Sequence, residues 1–520
     1  MSEPIQPSLT VPSKSSTVFS CGWFFLISAL LILVVATALR VHHLGERSLW
    51  FDEALTANTS RTTLTHMLEA TRIRGSAPVV HPFILYLVER VSKSAVVVRA
   101  PSVLASLLAI MVILGTVRAK VDPYAALFAA AILAISASQI RYAQEVREYS
   151  LSVLLATLLI YCLLRWEAVG TRSRHPVLLY LLLFMAPLVQ YGLVFLASAI
   201  LGTITLRIIF AEDVRFRWAH LMVGSLLLGV GGLLSYAITL RYQFHPSTAV
   251  WYLLDNYYDP SSASLLHFVG TNSKAFLTFA IPGHLIARSF GVAAIIFCVW
   301  QLARRRITSI TLLVLLSLTI TISAAALRLY PFGGIRQCLF LTPGLILFAG
   351  VVFAEVLKWT KGSIQPAVAS VFMILIVVSG YRGMLGNRWP YAEYEDTRTI
   401  LEKLAVSAGP NDQVWVNHDA VEAVDFYLQG KDSRFIYGRY HKNPQEYIPE
   451  LLDSIDLKKE RTWLVFSHLQ QPSDLAEEQL IVGTLRSEDW DVRSVVAPTN
   501  TQLFIARKQM PPQAILIPAR

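Results

Sequence analysis

Long apolar stretches separated by short polar segments run from residue 18 to residue 382. Because about 20 apolar residues in a helix cross the hydrocarbon core of a bilayer, each stretch predicts a membrane-spanning helix. The predicted spans are residues 18–39, 99–117, 123–138, 149–164, 176–190, 191–207, 218–240, 285–303, 307–327, 337–357 and 364–382. The pattern predicts an α-helical polytopic membrane protein with about eleven transmembrane helices in a domain over 18–382. A disordered cytoplasmic arm, rich in Ser, Pro and Thr, is expected at 1–17.

Basic residues are concentrated in alternate loops between these spans. With a cytoplasmic N-terminus, the inner loops contain Arg118 and Lys120, Arg165, Arg172 and Arg174, Arg207, Arg215 and Arg217, Arg304, Arg305 and Arg306, and Lys358 and Lys361. The opposite short loops contain Arg141 and Arg147, then Arg328 and Arg336. Lys and Arg accumulate on the cytoplasmic side of membrane proteins. The bias therefore predicts that the loops at 40–98, 139–148 and 241–284, and the C-terminal segment, are extracytoplasmic.

The pattern changes in the segment 383–520. Helical and strand-like stretches alternate there, from a helix near 397–406 and a strand near 413–418 to strands near 491–497 and 502–506. Such alternation predicts a small extracytoplasmic α/β domain. Because it contains no glycine-rich phosphate-binding motif, we expect a supporting or acceptor-binding role rather than nucleotide chemistry.

Composition narrows the class of protein. Charged residues make up 15% of the 520 positions, against about 25% in soluble globular chains. The net charge of +10 suits nucleic acid, anionic lipid or a phosphate-bearing substrate. Nucleic acid is excluded because the basic residues punctuate apolar stretches instead of forming a soluble basic face. Residues 383–520 hold 15 Lys and Arg against 20 Asp and Glu, so the positive excess lies in the membrane part.

Two adjacent acidic residues, Asp52 and Glu53, follow the aromatic pair Trp50 and Phe51 just outside the first predicted span. A carboxylate beside aromatic rings loses solvation, so its pKa is expected to rise toward the range of a general base. The alternative is an interfacial helix with a tryptophan anchor and acidic residues in its first turn. The residues alone leave both interpretations open.

Two further clusters lie in loops on the same side. Arg141, Glu145 and Arg147 fall within one short loop, which indicates either a substrate site or a salt-bridged cap. Arg328 and Arg336 flank a Gly-Gly pair that is expected to be flexible. Guanidinium groups suit bidentate phosphate contacts, whereas single arginines at a membrane rim often extend to the interface.

The sequence shows no metal-ligand spacing. His81 precedes Pro82, where a histidine is more often a structural group than a ligand. Asp52, Glu53 and Glu145 do not form an oxygen-ligand motif. We therefore expect no metal and no cofactor, with a divalent cation between an acid and a phosphate as the alternative.

Taken in order, four motifs resemble a known family. They are Arg47-Ser-Leu-Trp-Phe-Asp-Glu-Ala54, His81-Pro82 with Leu85-Tyr86, Arg99-Ala-Pro-Ser102, and Arg141-Tyr-Ala-Gln-Glu-Val-Arg147 with Tyr149. Together they resemble the GT-C membrane glycosyltransferases related to protein O-mannosyltransferases and to aminoarabinose and galacturonic-acid transferases. The resemblance covers roughly residues 20–350 and includes Glu395-Asp396 with Arg398 in the tail. It departs at Phe83, where relatives commonly have proline, and at Gln190, where they commonly have histidine.

The resemblance implies an inverting glycosyltransferase that moves a sugar from a polyprenyl-phosphate donor to a hydroxyl of a lipid, glycan or protein acceptor. It implies catalysis by Asp52 as base, with Glu53 and Glu145 as further acidic residues of the site. The residues expected to contact the donor phosphate or the acceptor are Arg141, Arg147, Tyr149, His81, Arg328 and Arg336. Because the tail resembles bacterial members, the expected location is the bacterial inner membrane, with membrane lipids around the spans and no nucleic-acid partner.

Two other functions stay open. A lipid or sugar transporter or flippase has a similar number of spans, but here the charged residues cluster in loops and no pair of broken helices is repeated. A non-catalytic membrane scaffold would use the C-terminal domain to bind a partner.

Overall fold

The computed structural model of the chain describes residues 15–75, 77–119, 121–169, 175–210, 217–243, 251–360, 364–387, 391–429, 432–441, 444–456, 459–470 and 472–508. Residues 1–14 of the predicted arm lie outside this description, as do Lys120, Arg172, Arg174, Arg215 and Lys361 of the predicted inner loops. The first helix already begins at Ser15, so it starts three residues before the predicted span.

Helices dominate the described part of the chain up to residue 387. They are α1 (Ser15–Val41), α2 (Phe51–Ser60), α3 (Leu64–Arg74), α4 (Val80–Val88), α5 (Ala95–Gly115), α6 (Pro123–Ile135), α7 (Ala137–Ala143), α8 (Tyr149–Val169), α9 (His175–Val189), α10 (Leu193–Ile209), α11 (Arg217–Ser235), α12 (Arg241–Gln243), α13 (Leu265–Ala280), α14 (His284–Ala303), α15 (Ser309–Ala326), α16 (Thr342–Leu357) and α17 (Gln365–Asn387). Short 3-10 segments lie at Thr116–Ala119, Trp251–Asn256 and Arg336–Leu341, and a π-helical turn at Tyr236–Leu240 follows α11.

Among the described residues, eight helical segments are long and apolar enough to cross a membrane. They are Trp23–Val41, Ala95–Gly115, Tyr149–Ala168, Trp218–Gln243, His284–Ala303, Ser309–Ala326, Arg336–Leu357 and Gln365–Arg382. The other predicted spans correspond to two shorter apolar helices, Pro176–Val189 and Leu193–Ile209, and to the pair α6 and α7. The chain is therefore a multi-pass membrane protein, and each predicted stretch contains a helix.

The predicted span at 123–138 is not one straight helix. Helix α6 ends at Ile135, and α7 leaves it at an angle of 60°. The break leaves carbonyl groups without intrahelical partners, which is costly in a low-dielectric environment. Arg40, fully buried on α1, donates to the carbonyls of Leu133 and Ala134, at 2.9 Å each. This buried guanidinium therefore stabilises the bend that precedes residues 144–148.

The segment after residue 391 forms the expected α/β domain. Its elements are α18 (Thr397–Ser407), β1 (Gln413–Val416), α19 (Val421–Leu428), β2 (Phe435–Tyr437), a 3-10 turn (Pro444–Glu446), α20 (Tyr447–Ser454), β3 (Thr462–Phe466), α21 (Pro472–Ser487), β4 (Trp490–Val496) and β5 (Gln502–Lys508). Within the described range the sheet has five strands in the order β2-β1-β3-β5-β4. Strands β1, β2 and β3 are parallel, while β5 is antiparallel to β3 and β4.

The central strands of this sheet are buried on both faces. Val414 and Val416 belong to one apolar cluster with residues of α18 and α19, whereas Trp415 belongs to a second cluster with residues of α20 and α21. Side chains alternate across a strand, so successive residues of β1 reach opposite helix layers. The domain is a three-layer α/β/α sandwich.

The C-terminal domain packs directly on α2. Ala423 and Phe426 of α19 share a buried apolar cluster with Leu49, Ala54 and Ala57. The backbone N–H of Leu49 also donates to the hydroxyl of Tyr427 at 2.9 Å. The predicted loop at 40–98 is thus largely helical. The C-terminal domain packs on α2, the first helix that begins within this loop.

Candidate active site

A cavity of about 820 Å³ lies between α2, the segment before α16 and the C-terminal domain. Its size is in the range of small-molecule sites, roughly 300–1,000 Å³. The charged and aromatic residues of its wall are Trp50, Phe51, Asp52, Arg74, Tyr142, Arg147, Arg336, Tyr394 and His468. We call it the large cavity. It brings together residues that the sequence analysis treated as separate clusters.

Asp52 lies in the first turn of α2 and faces the large cavity. Its Oδ2 atom is 2.9 Å from Nη2 of Arg336 and 3.3 Å from Nη1 of Arg147. The carboxylate retains 20% of its exposure, so it can be reached from the cavity. One carboxylate and two guanidinium groups therefore form a single charged cluster in this wall.

The expected rise in the pKa of Asp52 is wrong, because the pKa is lowered in the structure. Burial does oppose ionisation of the carboxyl group. The positive charges of Arg147 and Arg336 more than offset this cost and hold the pKa of Asp52 below its ordinary value. The aromatic neighbours are adjacent in the sequence, whereas the two arginines approach from distant segments of the chain. Asp52 is thus an ionised carboxylate with cationic partners.

Glu53 points away from the large cavity although it follows Asp52 directly. Successive helix residues are rotated by about 100°, and Glu53 is fully buried. Arg99 on α5 donates to both carboxylate oxygens, at 2.9 and 2.8 Å, and the N–H of Val146 donates to one of them at 2.9 Å. These bonds hold the pKa of Glu53 below its ordinary value despite burial. Glu53 therefore connects α2 to α5 and to the loop at 144–148.

Arg99 fixes the approach of the chain to α2. Besides Glu53, its guanidinium donates to the carbonyls of Leu44, Arg47 and Ser48 at 2.8 to 3.1 Å. The segment before Asp52 is thus tied to α5 by charge-assisted hydrogen bonds.

Glu145 and Arg141 form a buried ion pair at 2.8 Å, with both side chains inaccessible. Burial raises the pKa of Glu145, and Arg141 only partly opposes this shift. The guanidinium of Arg141 lies 3.8 Å above the ring of Tyr394, which does line the large cavity, and donates to the carbonyl of Ala392. Neither Arg141 nor Glu145 is among the described residues that line the large cavity. Both side chains lie behind its wall.

Tyr149 and His81 also lie behind the charged cluster. The ring of Tyr149 is 5.7 Å from the guanidinium of Arg147 and 5.8 Å from that of Arg336. His81 is buried on α4, and neither ring nitrogen has a hydrogen bond among the described residues. Burial, with the charge of Arg147, lowers the pKa of His81 to about 3. The imidazole is neutral and supplies no positive charge to the site.

Arg328 and Arg336 have different environments. Arg336 lines the large cavity, whereas Arg328 is exposed after α15 and is separate from the described cavity wall. The Gly-Gly pair between them serves close packing rather than flexibility. A Cβ atom at Gly333 would lie 2.5 Å from Nδ2 of Asn256, and one at Gly334 would lie 2.7 Å from the carbonyl oxygen of Ala275. This packing fixes the segment that carries Arg336.

The C-terminal domain contributes two residues that the sequence analysis did not assign to the site. Glu395 is fully buried and accepts a hydrogen bond from the N–H of Phe51 at 3.0 Å, next to Asp52. Its other oxygen is 2.6 Å from Nδ1 of His468, and the His468 ring lies 5.4 Å from the ring of Phe51. Glu395 was noted only as part of the family-like tail, and no local pattern marks His468.

His468 is a further cation of the large cavity. Burial lowers the pKa of its imidazole, but the hydrogen bond and charge of Glu395 outweigh burial and raise the pKa to about 9. The ring is therefore protonated at neutral pH. Its backbone has a φ of 63°, a left-handed conformation that is uncommon for residues other than glycine.

Among the described residues, the acidic and histidine side chains do not form a ligand cluster for a metal ion. In the part of the chain that the structure describes, no group of three or more His, Cys, Asp or Glu residues converges with suitable geometry. Asp52 instead has arginines as neighbours.

Comparison with known proteins identifies a matching family model and solved structures with a similar architecture. A family model described as dolichyl-phosphate-mannose-protein mannosyltransferase matches residues 76–236. No curated protein sequence matches the chain. The structure of ArnT from Cupriavidus metallidurans bound to undecaprenyl phosphate is similar, with 16% identity and a TM-score of 0.51, over 94% of this chain and 98% of that one.

A second group of similar structures comes from Archaeoglobus fulgidus. Its oligosaccharyltransferase in the apo form has 11% identity and a TM-score of 0.53, over 94% of this chain and 75% of that one. A complex of the same organism's AglB with an inhibitory peptide and a dolichol-phosphate has 13% identity and a TM-score of 0.50. The fold resemblance expected from the motifs is confirmed: the chain has the GT-C fold.

Proposed function

We propose that this GT-C protein is a polyprenyl-phosphate-dependent glycosyltransferase whose reaction takes place in the large cavity. The observation that carries the proposal is the cluster of Asp52, Arg147 and Arg336 in one accessible wall. A carboxylate that takes a proton and cations that hold a phosphate are the two requirements of this transfer. The undecaprenyl phosphate and dolichol-phosphate bound in two similar structures support the choice of donor class.

Arg147 and Arg336 are the proposed phosphate contacts. Both guanidinium groups already lie together at the cavity, and Arg336 is additionally held over the ring of Trp50 at 5.3 Å. Arginine presents paired N–H donors that match phosphate oxygens. As the bond between the anomeric carbon and the phosphate oxygen breaks, the electron pair moves to the phosphate, and the two cations stabilise the charge that develops there.

Asp52 is the proposed base. The acceptor hydroxyl attacks the anomeric carbon opposite the phosphate, its proton passes to the Asp52 carboxylate, and the configuration of the sugar is inverted. In the structure, Asp52 is the ion-pair partner of the two guanidinium groups that we assign to the phosphate. When the donor binds, its phosphate therefore replaces Asp52 as the partner of the two guanidinium groups. The pKa of Asp52 then rises toward the range of an effective base.

The buried residues around the cluster act as positioning residues in this proposal. Glu53 and Arg99 hold α2, and Tyr149 lies against both phosphate-binding arginines. Glu145, with Arg141, supports Tyr394 from behind the wall. The neutral His81 lies within electrostatic range of Arg147 and adds no competing charge to the cluster.

The site lies where the predicted extracytoplasmic segments meet. The loop at 40–98 and the C-terminal domain form its walls, so we propose an extracytoplasmic reaction and a cytoplasmic N-terminus, in agreement with the basic inner loops. We propose the bacterial inner membrane as the location, with the donor's hydrocarbon chain in the surrounding lipid. Glu395 and His468 give the C-terminal domain a direct part in shaping the site.

The test is a transfer assay with the purified full-length chain in detergent and a panel of undecaprenyl-phosphate sugars. Release of undecaprenyl phosphate is followed by mass spectrometry with and without a crude cell-envelope acceptor fraction. We expect release from at least one donor and acceleration by acceptor. A folded protein that releases no lipid phosphate from any donor would favour a transporter or scaffold.

A further inference from the structure

A second cavity of about 380 Å³ lies beside the large cavity, on the side of the C-terminal domain. Its wall is formed by Phe51, Arg74, His418, Asp419, Val421, Glu422, Gly438 and Tyr440. Apart from Phe51 and Arg74, these residues come from the connections that follow β1 and β2 and from the start of α19. The volume falls in the range of small-ligand sites, roughly 300–1,000 Å³.

The two cavities share part of their walls. Phe51 and Arg74 line both of them. Phe51 precedes Asp52 in α2, so the second cavity begins one residue from the proposed base. A molecule whose reacting hydroxyl is at Asp52 can therefore extend past the Phe51 ring into the second cavity.

The charges of the second cavity are balanced. Arg74 is paired with Glu422, and the other oxygen of Glu422 accepts from Nδ2 of Asn58 at 3.0 Å. Burial lowers the pKa of His418 to about 4, so its imidazole is neutral. Unlike the large cavity, this wall does not present an excess of cationic groups among the described residues. Its electrostatics suit an uncharged ligand better than a phosphate.

The remaining groups suit a sugar ring. Tyr440 is 69% exposed and its ring lies 5.3 Å from that of His418, while Phe51 lies on the shared side of the cavity. Aromatic faces pack against the C–H faces of sugar rings, and carboxylate or imidazole groups exchange hydrogen bonds with hydroxyls. Asp419 supplies such a carboxylate, held at 3.2 Å from Nε2 of His418.

We infer that the second cavity binds the non-reacting part of an uncharged glycan acceptor, with Tyr440 as its stacking platform and Asp419 as its hydroxyl partner. The inference rests on the proposed function and specifies its acceptor class. Burial raises the pKa of Asp419 to about 7, so the carboxyl group both donates and accepts hydrogen bonds near neutrality.

The binding test uses cellobiose, lactose and chitobiose as probes, with cellobiose 6-phosphate for comparison. Saturation-transfer NMR is recorded on the detergent-solubilised full chain and on the Tyr440→Ala, Asp419→Asn and Tyr437→Ala variants. Tyr437 is a matched control because it is a partly exposed tyrosine of the same domain outside both cavities. We expect neutral disaccharides to bind, with about fivefold weaker binding in Tyr440→Ala and Asp419→Asn and no change in Tyr437→Ala.

Two results would overturn the inference. One is the absence of binding by every neutral disaccharide, or binding that Tyr440→Ala leaves unchanged. The other is a clear preference for cellobiose 6-phosphate. The proposed function is judged separately by release of undecaprenyl phosphate in the same preparations. If undecaprenyl phosphate is released but Tyr440→Ala does not weaken saccharide binding, only the acceptor subsite is contradicted. If no undecaprenyl phosphate is released, the transferase function is contradicted.

Discussion

The carboxylate of Asp52 lies 2.9 Å from the guanidinium of Arg336, so the proposed base is paired with a residue that we assign to the donor phosphate. Arg147 approaches the same oxygen from a third segment of the chain. An ionised base with low proton affinity is a poor catalyst. The arrangement therefore requires the donor phosphate to draw these cations away before the proton transfer.

Replacing Asp52 is expected to have opposite effects on binding and on transfer. Asp52→Asn removes the negative charge that competes for Arg147 and Arg336, so undecaprenyl phosphate should bind about five- to tenfold more tightly. The same variant should lose at least about 10²-fold in transfer because it lacks the base. Affinity is measured by thermal-shift titration with undecaprenyl phosphate. Weaker binding in Asp52→Asn would contradict the exchange of partners, and Asp453→Asn, which changes an exposed aspartate of α20 outside the cavity, serves as the control.

The two arginines of the Gly-Gly segment should differ in importance. Arg336→Lys keeps the charge but loses the paired donors, so we expect the KM for the donor to rise and kcat/KM to fall by about 10- to 100-fold. Arg328→Lys should leave both constants near the wild-type values because Arg328 is exposed away from the cavity. Steady-state kinetics with varied donor separates the two cases. Equal losses in both variants would show that the exposed arginine also contacts the donor.

Glu53 should matter for stability more than for chemistry. Glu53→Gln leaves the buried Arg99 without its charged partner, and breaking such a pair costs about 3–5 kcal/mol. We expect a lower unfolding temperature in detergent, followed by intrinsic fluorescence. The double variant Glu53→Gln with Arg99→Gln should recover part of the loss because no unpaired charge stays buried. Unchanged stability in Glu53→Gln would argue that the carboxylate acts on substrate instead.

The contact between His468 and Glu395 should make stability depend on pH on the alkaline side. The folded protein raises the pKa of His468 from an ordinary value of 6.5 to about 9. The stabilisation from this shift is therefore complete below about pH 6.5 and is lost as pH rises through about 9. We expect the unfolding temperature of wild type to exceed that of His468→Gln at about pH 6, with the difference disappearing near pH 10. A difference that stays constant over this range would contradict a protonated His468.

Much of the fold follows from patterns that are local in the sequence. Apolar stretches of sufficient length predicted the membrane helices, and alternation of short strands and helices predicted the C-terminal α/β domain. The bend between α6 and α7 was missed because it depends on Arg40 from another helix, which bonds the carbonyls of Leu133 and Ala134. Apolarity alone does not distinguish a straight span from a broken one.

The site was only partly accessible from the sequence for the same reason. Motifs identified Asp52, Arg147 and Arg336, but they did not distinguish Arg336 from Arg328, which differ in tertiary position. The direction of the pKa shift at Asp52 was wrong because its cause is two charges brought in by folding. His468 carries no local signal, since its charge comes from Glu395 in a different segment.

The most direct test of the central claim is acceptor-dependent release of undecaprenyl phosphate from an undecaprenyl-phosphate sugar by wild type and Asp52→Asn, with folding of both checked by size-exclusion chromatography. We predict release by wild type and a loss of at least about 10²-fold in a folded Asp52→Asn protein. Transfer by Asp52→Asn above a tenth of the wild-type rate would contradict the assignment of Asp52 as the base.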